Sequence, residues 1–194
     1  MRKIIAGLNI SLDGFTQGPN GEMDWLNLDQ PDGWKDRHAD LMQQLKSADT
    51  FLLGRVTYQE FEQYWPAART NPSSTKFERQ FANFVEDAQK VVVSKTLKGV
   101  QWKNTKLIKD NVAEEVTKLK RGLGKDILVP GGAGIVSTLT DLGLIDEYNL
   151  LVNPVVLGKG KHLFKDVNHR RNMKLVKTRT LDSQIVALTY ERRS

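Results

Sequence analysis

The chain has 194 residues, 39% of them hydrophobic, and carries a formal charge of +6 with no cysteine. These numbers predict one domain spanning residues 1–194 with a buried core, and they exclude disulfides, thiolate catalysis and sulfur-ligated metals. Because its 29 Lys and Arg are mixed with 23 acidic residues along the whole chain, the charge suits a phosphate-bearing small molecule as well as nucleic acid.

The first element in chain order is a strand over residues 2–10. Its apolar run is short and is followed by Ser11 and Asp13, which is typical of a strand rather than a signal peptide, and no later segment approaches a membrane span. We therefore expect a cytoplasmic protein with no membrane partner. Helical spacing then predicts a helix over 32–48. The later predicted elements are a strand at 50–54, helices at 55–65 and 73–88 (the second capped by Ser73 or Ser74), strands at 90–94 and 105–109, a helix at 111–121, a strand at 126–130, a helix at 134–142, a strand at 148–156, and extended runs at 173–181 and 184–191.

This alternation of strands and helices predicts an α/β fold, with a mainly parallel central sheet and helices on both of its faces. The last two extended runs are separated by Asp182 and Ser183, which favours an antiparallel hairpin at the C-terminus. In sheets of this class, ligands bind at the carboxyl ends of the strands. The residues that follow each strand are therefore the first candidates for a binding site.

Three of these strand ends have side chains or backbone suited to phosphate. Residues 54–57 place Arg55 and Thr57 at the start of a helix, where free N–H groups favour anions. Residues 94–96 offer two hydroxyls and a cation, and residues 130–134 offer backbone N–H groups with no bulky side chain. Three such turns in one sheet favour a long ligand with several phosphates.

The glycine turn after the strand at 126–130 has two interpretations. Gly131, Gly132 and Gly134 either shape a strand-to-helix turn or leave room for a ligand against bare backbone. The turn is only a weak match to the dinucleotide fingerprint, because its last position is Ser137. The residues alone leave both interpretations open.

Taken together, these segments resemble the dihydrofolate reductase-like fold, and more closely its branch related to the reductase domain of the riboflavin-biosynthesis deaminase–reductase. The resemblance covers nearly the whole chain. It is carried by SLDG (11–14), MDWL (23–26), LLGRVTYQEF (52–61), VVVSKTL (91–97), VPGGAGIVSTL (129–139), GLIDEY (143–148) and NPVVLGKGKHLF (153–164). It implies NADPH as the cofactor, held by Gly54, Arg55, Thr57, Ser94, Thr96, Gly131, Gly132, Ala133, Gly134 and Ile135.

The resemblance also implies a substrate side. We expect Asp13, after the first strand, to act as the catalytic carboxylate, and Asp24, Trp25 and Tyr58 to contact the substrate. A helix carboxylate serves dihydrofolate reductases, and Asp36, His38 and Asp40 of the helix at 32–48 remain open as alternatives. The expected reaction is hydride transfer from NADPH to a pterin-like or aminopyrimidine-like heterocycle, or to a carbonyl compound.

The sequence also bears on assembly and partners. Related reductase domains are commonly dimers, and the last strands place apolar runs near a sheet edge, so we expect a homodimer. The alternative to a reductase is a non-catalytic nucleotide-binding protein that retains the fold. Nucleic acid is not expected as a partner, because the sequence contains no recognition motif for it.

Overall fold

The computed structural model describes residues 1–26, 35–181 and 184–193, with the side chains of 35–37 left out. Trp34, the Asp36 side chain and the Asp182–Ser183 turn lie outside this description. The helices are α1 (Lys35–Ser47), α2 (Arg55–Thr70), α3 (Lys76–Asp87), α4 (Val112–Arg121) and α5 (Ala133–Asp141), and a 3-10 turn covers Asp24–Leu26. The strands are β1 (Ile4–Ser11), β2 (Phe15–Gln17), β3 (Ala48–Gly54), β4 (Gln89–Val93), β5 (Thr105–Ile108), β6 (Asp126–Val129), β7 (Glu147–Asn153), β8 (Lys161–His162), β9 (Met173–Thr180) and β10 (Val186–Arg192).

Eight of the described strands form one sheet in the order β5-β4-β3-β6-β1-β7-β10-β9. The pairs from β5 to β7 are parallel, and β10 pairs antiparallel with both β7 and β9. The α/β class, the mostly parallel sheet and the antiparallel C-terminus predicted from the sequence are therefore confirmed. β7 lies inside the sheet between β1 and β10, so its predicted place near an edge is wrong; β9 is the edge strand.

Two hydrophobic clusters pack on opposite faces of the sheet. One contains Val116 of α4 and Leu139 of α5, and the other contains Leu45 of α1, Tyr58 of α2 and Phe81 of α3. Successive residues of a strand point to opposite faces, so β1 contributes to both clusters. The helices thus cover the two faces, and the carboxyl ends of the parallel strands are left to loops and helix starts.

The start of α3 corrects one detail of the sequence analysis. Its N-cap is Thr75, not Ser73 or Ser74, because Thr75 and Glu78 exchange two hydrogen bonds in a capping box. Glu78 is at the third helical position, which is the spacing that a capping box requires. Two short strands, β2 and β8, were also not predicted; they pair antiparallel beside the loop that follows β1.

Candidate functional site

Three of the sequence-predicted phosphate turns lie side by side. β4, β3 and β6 are neighbours and run parallel, so the turns after Val93, Gly54 and Val129 are at the same edge of the sheet. Adjacent β1 pairs with β6 in parallel and brings its own carboxyl end to that edge. One extended ligand could therefore contact all three turns.

The turns after β3 and β6 each start a helix whose N-terminus has no side-chain cap. Gly54 is the N-cap of α2 and Gly132 is the N-cap of α5, and neither makes a side-chain capping bond. The two helix starts lie against each other: a Cβ added at Gly132 would lie 2.8 Å from Thr57 Oγ1 of α2, and one added at Gly54 would lie 3.4 Å from Ile135 Cβ of α5. Uncapped N–H groups of two adjacent helices form a site that favours anions.

Thr57 lies between these two helix starts. Its side chain is buried, with 8% of the residue exposed, and the described residues give its hydroxyl no hydrogen-bond partner. Buried hydroxyls are nearly always paired, and leaving one unpaired is costly. A ligand phosphate at this point would supply the missing partner.

The glycines of the turn after β6 do not all serve the same purpose. Gly131 and Gly132 have φ angles of +99° and +80°, so the backbone itself favours glycine at both positions. Gly134 has no such requirement: it is an exposed residue in the first turn of α5, and a Cβ there would meet nothing within 4 Å. The shape of the turn thus explains glycine at positions 131 and 132. At position 134 the ligand interpretation is the one that explains it.

The remaining predicted cofactor residues differ in what their side chains can do. Ala133 and Ile135 are buried in the core, with 4% and 6% exposed, so only their backbone could face a ligand. Ser94 is also buried, and its hydroxyl accepts hydrogen bonds from the backbone N–H groups of Thr96 and Leu97. Arg55 is exposed and donates to Gln59 Oε1 over 3.0 Å. Its guanidinium therefore lies along the exposed side of the first turns of α2.

Asp13 holds a loop. Its carboxylate accepts hydrogen bonds from Ser11 Oγ (2.7 Å), Leu157 N (3.1 Å) and Gly158 N (2.7 Å). The Ser11 hydroxyl and these two backbone N–H groups lower the pKa of Asp13 to about 2. A carboxyl group that stays ionised at neutral pH is a poor proton donor. Its hydrogen bonds position residues 157–158, and a catalytic role for Asp13 stays a prediction.

Tyr58 lies in the core and not on a ligand surface. It is 2% exposed, and its hydroxyl donates to Glu62 Oε1 over 2.6 Å. The same oxygen accepts from the backbone N–H groups of Gln101 and Trp102 at 3.3 and 3.4 Å. These contacts connect α2 to the segment before β5, and they leave Tyr58 out of the site that we propose below.

Asp24 and Trp25 occupy the 3-10 turn that precedes residues 27–34. Asp24 is exposed and accepts from the backbone N–H of Trp25, whose indole N–H donates to the carbonyl of Glu22 over 3.2 Å. These contacts are local to the turn. Neither residue lines the groove described next.

A groove of about 720 Å³ lies between α1 and the sheet face formed by β1, β7, β10 and β9. One part of its wall is Val129 and Pro130, directly before the glycine turn, and aromatic residues of α2 and α3 line another part. Polar groups from several elements also line it, among them Asn9, His38, Asp40, Gln44, Asn149, Arg179 and Thr189. Of these, only His38 and Asp40 were considered from the sequence.

Several of these groove residues are held by identified neighbours. The His38 ring stacks on Phe77 with centroids 3.6 Å apart and an interplanar angle of 6°. Thr189 Oγ1 donates to Asn149 Oδ1 over 2.8 Å, and these residues face each other across β10 and β7. The groove therefore has ordered polar walls on the helix side and on the sheet side.

Two other kinds of feature are absent from the described residues. No group of three or more His, Asp or Glu is placed to hold a metal ion there. Within the same part of the chain, every helix is too short or too polar to cross a membrane.

The chain has clear similarity to known proteins. A family model described as the RibD C-terminal domain matches residues 2–187. YyaP of Bacillus subtilis (strain 168), described as uncharacterized, is 41% identical over 189 residues, which are 97% of this chain and 94% of YyaP.

Two solved structures have the same fold at low sequence identity. The diaminohydroxyphosphoribosylaminopyrimidine deaminase/5-amino-6-(5-phosphoribosylamino)uracil reductase of Thermotoga maritima superposes with a TM-score of 0.65 at 16% identity, over 99% of this chain and 57% of that one. Dihydrofolate reductase of Enterococcus faecalis, complexed with NADP(H), superposes with a TM-score of 0.59 at 13% identity, over 99% of this chain and 97% of that one. The dihydrofolate reductase-like fold expected from the sequence is confirmed.

Proposed function

Because the chain belongs to the RibD C-terminal domain family, we propose that it is an NADPH-dependent reductase. Its substrate is a small heterocycle or carbonyl compound that accepts a hydride. Membership of a reductase-like family and the dihydrofolate reductase-like fold support an oxidoreductase role. Function depends on the site as well as on the fold, and the strand ends and the groove supply the residues of that site.

The observation that carries the proposal is the junction of the two uncapped helix starts at Thr57. The N-termini of α2 and α5 meet there around a buried hydroxyl for which the described residues provide no partner. Exposed Gly134, with open space at its Cβ, lies in the first turn of α5. This combination fits the pyrophosphate of a dinucleotide.

Other residues fit the remaining parts of NADPH. Arg55 offers an exposed guanidinium beside the same helix start, and the Ser94–Thr96 turn is at the neighbouring strand end. A cation and hydroxyls at these positions suit the 2′-phosphate that distinguishes NADPH from NADH. When bound, NADPH supplies the hydride, and the contribution of the chain is to bind and orient the cofactor and the acceptor.

The groove is the proposed substrate site. It adjoins the glycine turn at Pro130 and combines apolar walls with a few polar groups, as small-molecule sites generally do. The acceptor atom must also gain a proton after hydride transfer. His38 lines the groove, where Asp40 is paired with Arg179, and Asp13 is held by residues 157–158. We therefore assign proton supply to the helix side of the groove.

The test is hydride transfer itself. Purified protein would be incubated with NADPH carrying deuterium at both C4 positions and with a panel of pterins, pyrimidinones and small carbonyl compounds. We expect at least one acceptor to gain deuterium in a protein-dependent reaction, with oxidation of NADPH in equal amount. Tight binding of NADPH without transfer to any acceptor would instead support the non-catalytic alternative and refute the reductase proposal.

A further inference from the structure

The described charged side chains that line the groove are balanced in sign. Asp40, Asp126 and Glu147 supply the negative charges, and Lys3, Lys177 and Arg179 supply the positive ones. Two of these cations form ion pairs with groove acids. Lys3 Nζ lies 3.4 Å from Glu147 Oε2, and Arg179 Nη2 pairs with Asp40 Oδ2.

The pair of Arg179 and Asp40 joins two elements that are distant in the fold. Asp40 is on α1, whereas Arg179 is on β9, the edge strand at the far end of the sheet. The register places Arg179 opposite Ala187 of β10, and Ala187 opposite Leu151 of β7. All of these residues line the groove, so the ion pair spans it from the helix to the edge of the sheet.

The negative charge of Asp40 is thus paired with the guanidinium of Arg179. A carboxylate in a groove of this size would otherwise attract a flat cation such as an amidinium, which it can bind through two parallel hydrogen bonds. With Arg179 paired to the same carboxylate, such a cation would lose an acceptor and lie next to a like charge. Of the other polar groups on the sheet side, Asn9, Asn149 and Thr189 are uncharged, Lys3 is paired with Glu147, and Asp126 and Lys177 are opposite in charge.

We propose that Arg179 is a specificity-determining residue that neutralises Asp40 and makes the groove selective for an uncharged planar ligand. The substrate class is then a neutral heterocycle or carbonyl compound, and cationic amidine-type rings are excluded. The inference rests on the proposed function only in taking the groove as the substrate site. Its test uses neither cofactor nor turnover, so it can fail independently of the reductase proposal.

The test uses three probes of one shape and different charge: benzamidine (cationic), benzamide (neutral) and benzoate (anionic). Binding would be followed by the ring proton signals of the histidines in NMR spectra. The chain has three histidines, and His38 is the one among the groove-lining residues. His169, which pairs with Asp141, and His162, which contacts Phe15, serve as internal references. Loss of the shifted signal in a His38→Gln variant would assign it.

We expect neither charged probe to bind the wild type more tightly than benzamide does. Arg179→Gln should bind benzamidine about tenfold more tightly than the wild type does, the size of a hydrogen bond to a charged group. Asp40→Asn should gain affinity for benzoate by a similar factor, because Arg179 is then unpaired. Arg179→Lys and the double variant should show neither gain.

Two results would overturn the proposal. One is a wild type that already prefers benzamidine to benzamide. The other is a folded Arg179→Gln or Asp40→Asn variant, judged by its melting curve, that gains no affinity for the matching charged probe. The two single variants test opposite charges, so one that folds poorly does not prevent a decision from the other.

Discussion

Gly134→Ala separates the two interpretations of the glycine turn more cleanly than any substitution at Gly131 or Gly132. Those two glycines have positive φ angles, and a Cβ at Gly132 would lie 2.8 Å from Thr57 Oγ1. An alanine at either position would therefore strain the free protein. Gly134 is exposed and helical, and a methyl group there meets nothing within 4 Å.

The expected effects of Gly134→Ala on stability and on binding have opposite signs. Alanine is more stable than glycine within a helix by about 0.5–1 kcal/mol, which corresponds to a rise in melting temperature of roughly 1–4 °C for a chain of this size. If the dinucleotide lies against α5, the added methyl group must displace it. The affinity for NADPH should then fall at least tenfold, which is about 1.4 kcal/mol.

Ala113→Gly is the matched control. Ala113 is the second residue of α4, as Gly134 is of α5, and both are exposed. Each carbonyl accepts a hydrogen bond from a threonine four residues later, Thr117 Oγ1 at 2.6 Å and Thr138 Oγ1 at 2.9 Å. The reverse substitution should lower the melting temperature by a similar amount and leave the affinity for NADPH unchanged.

The assay combines thermal unfolding without ligand and calorimetric titration with NADPH for the wild type and both variants. A Gly134→Ala protein that melts as expected but binds NADPH with the affinity of the wild type would refute the reasoning. The start of α5 would then not lie under the cofactor.

Four further outcomes are expected. Arg55→Ala should weaken NADPH binding by about 1.5 kcal/mol, which is the lower end for a charged hydrogen bond because Arg55 is exposed. A variant that prefers NADPH over NADH as strongly as the wild type does, measured by calorimetry, would contradict this role. Asp13→Asn should lower the melting temperature by releasing Gly158, whereas exposed Asp24→Asn should not. The pKa of Asp13 is lowered from 3.8 to about 2, so the stabilisation by its carboxylate should be constant above pH 5 and disappear as the pH falls through about 2. A difference in melting temperature between the wild type and Asp13→Asn that persists at lower pH would refute this. Tyr58→Phe should lower the free energy of unfolding by about 1 kcal/mol in denaturant titrations and leave the affinity for the accepted substrate unchanged. A loss of substrate affinity without a loss of stability would place Tyr58 in the site. Because the edge strand β9 exposes Leu175 and Val176, we propose a homodimer. Light scattering at micromolar concentration should then give about twice the 22.0 kDa chain mass, and a monomeric mass would argue against the dimer.

The elements of the fold were predictable because their patterns are local. The β-branched run Val91–Val93 is typical of a buried parallel strand, and Phe77, Phe81 and Phe84 repeat at helical spacing. Strand order follows less directly, which is why β7 was expected near an edge. Its place between β1 and β10 depends on pairings between residues far apart in the chain.

The two sides of the candidate site differ in the same way. The cofactor side consists of short segments that each follow a strand, so position in the chain is enough to select them. The groove instead draws Asn149, Thr189 and Arg179 from three strands, and only the register brings them to one face. The contacts of Asp13 were equally hard to predict, because its partners Leu157 and Gly158 lie more than 140 residues away in the chain. No local pattern distinguishes a carboxylate that holds such a loop from one that is free.

The most direct test of the account is calorimetric titration of the wild-type protein with NADPH and, separately, with NADH. The account predicts one NADPH site per chain and a dissociation constant at least about tenfold lower than that for NADH, since the 2′-phosphate adds a charge-assisted hydrogen bond. Equal dissociation constants for the two cofactors, or no binding of either, would contradict it.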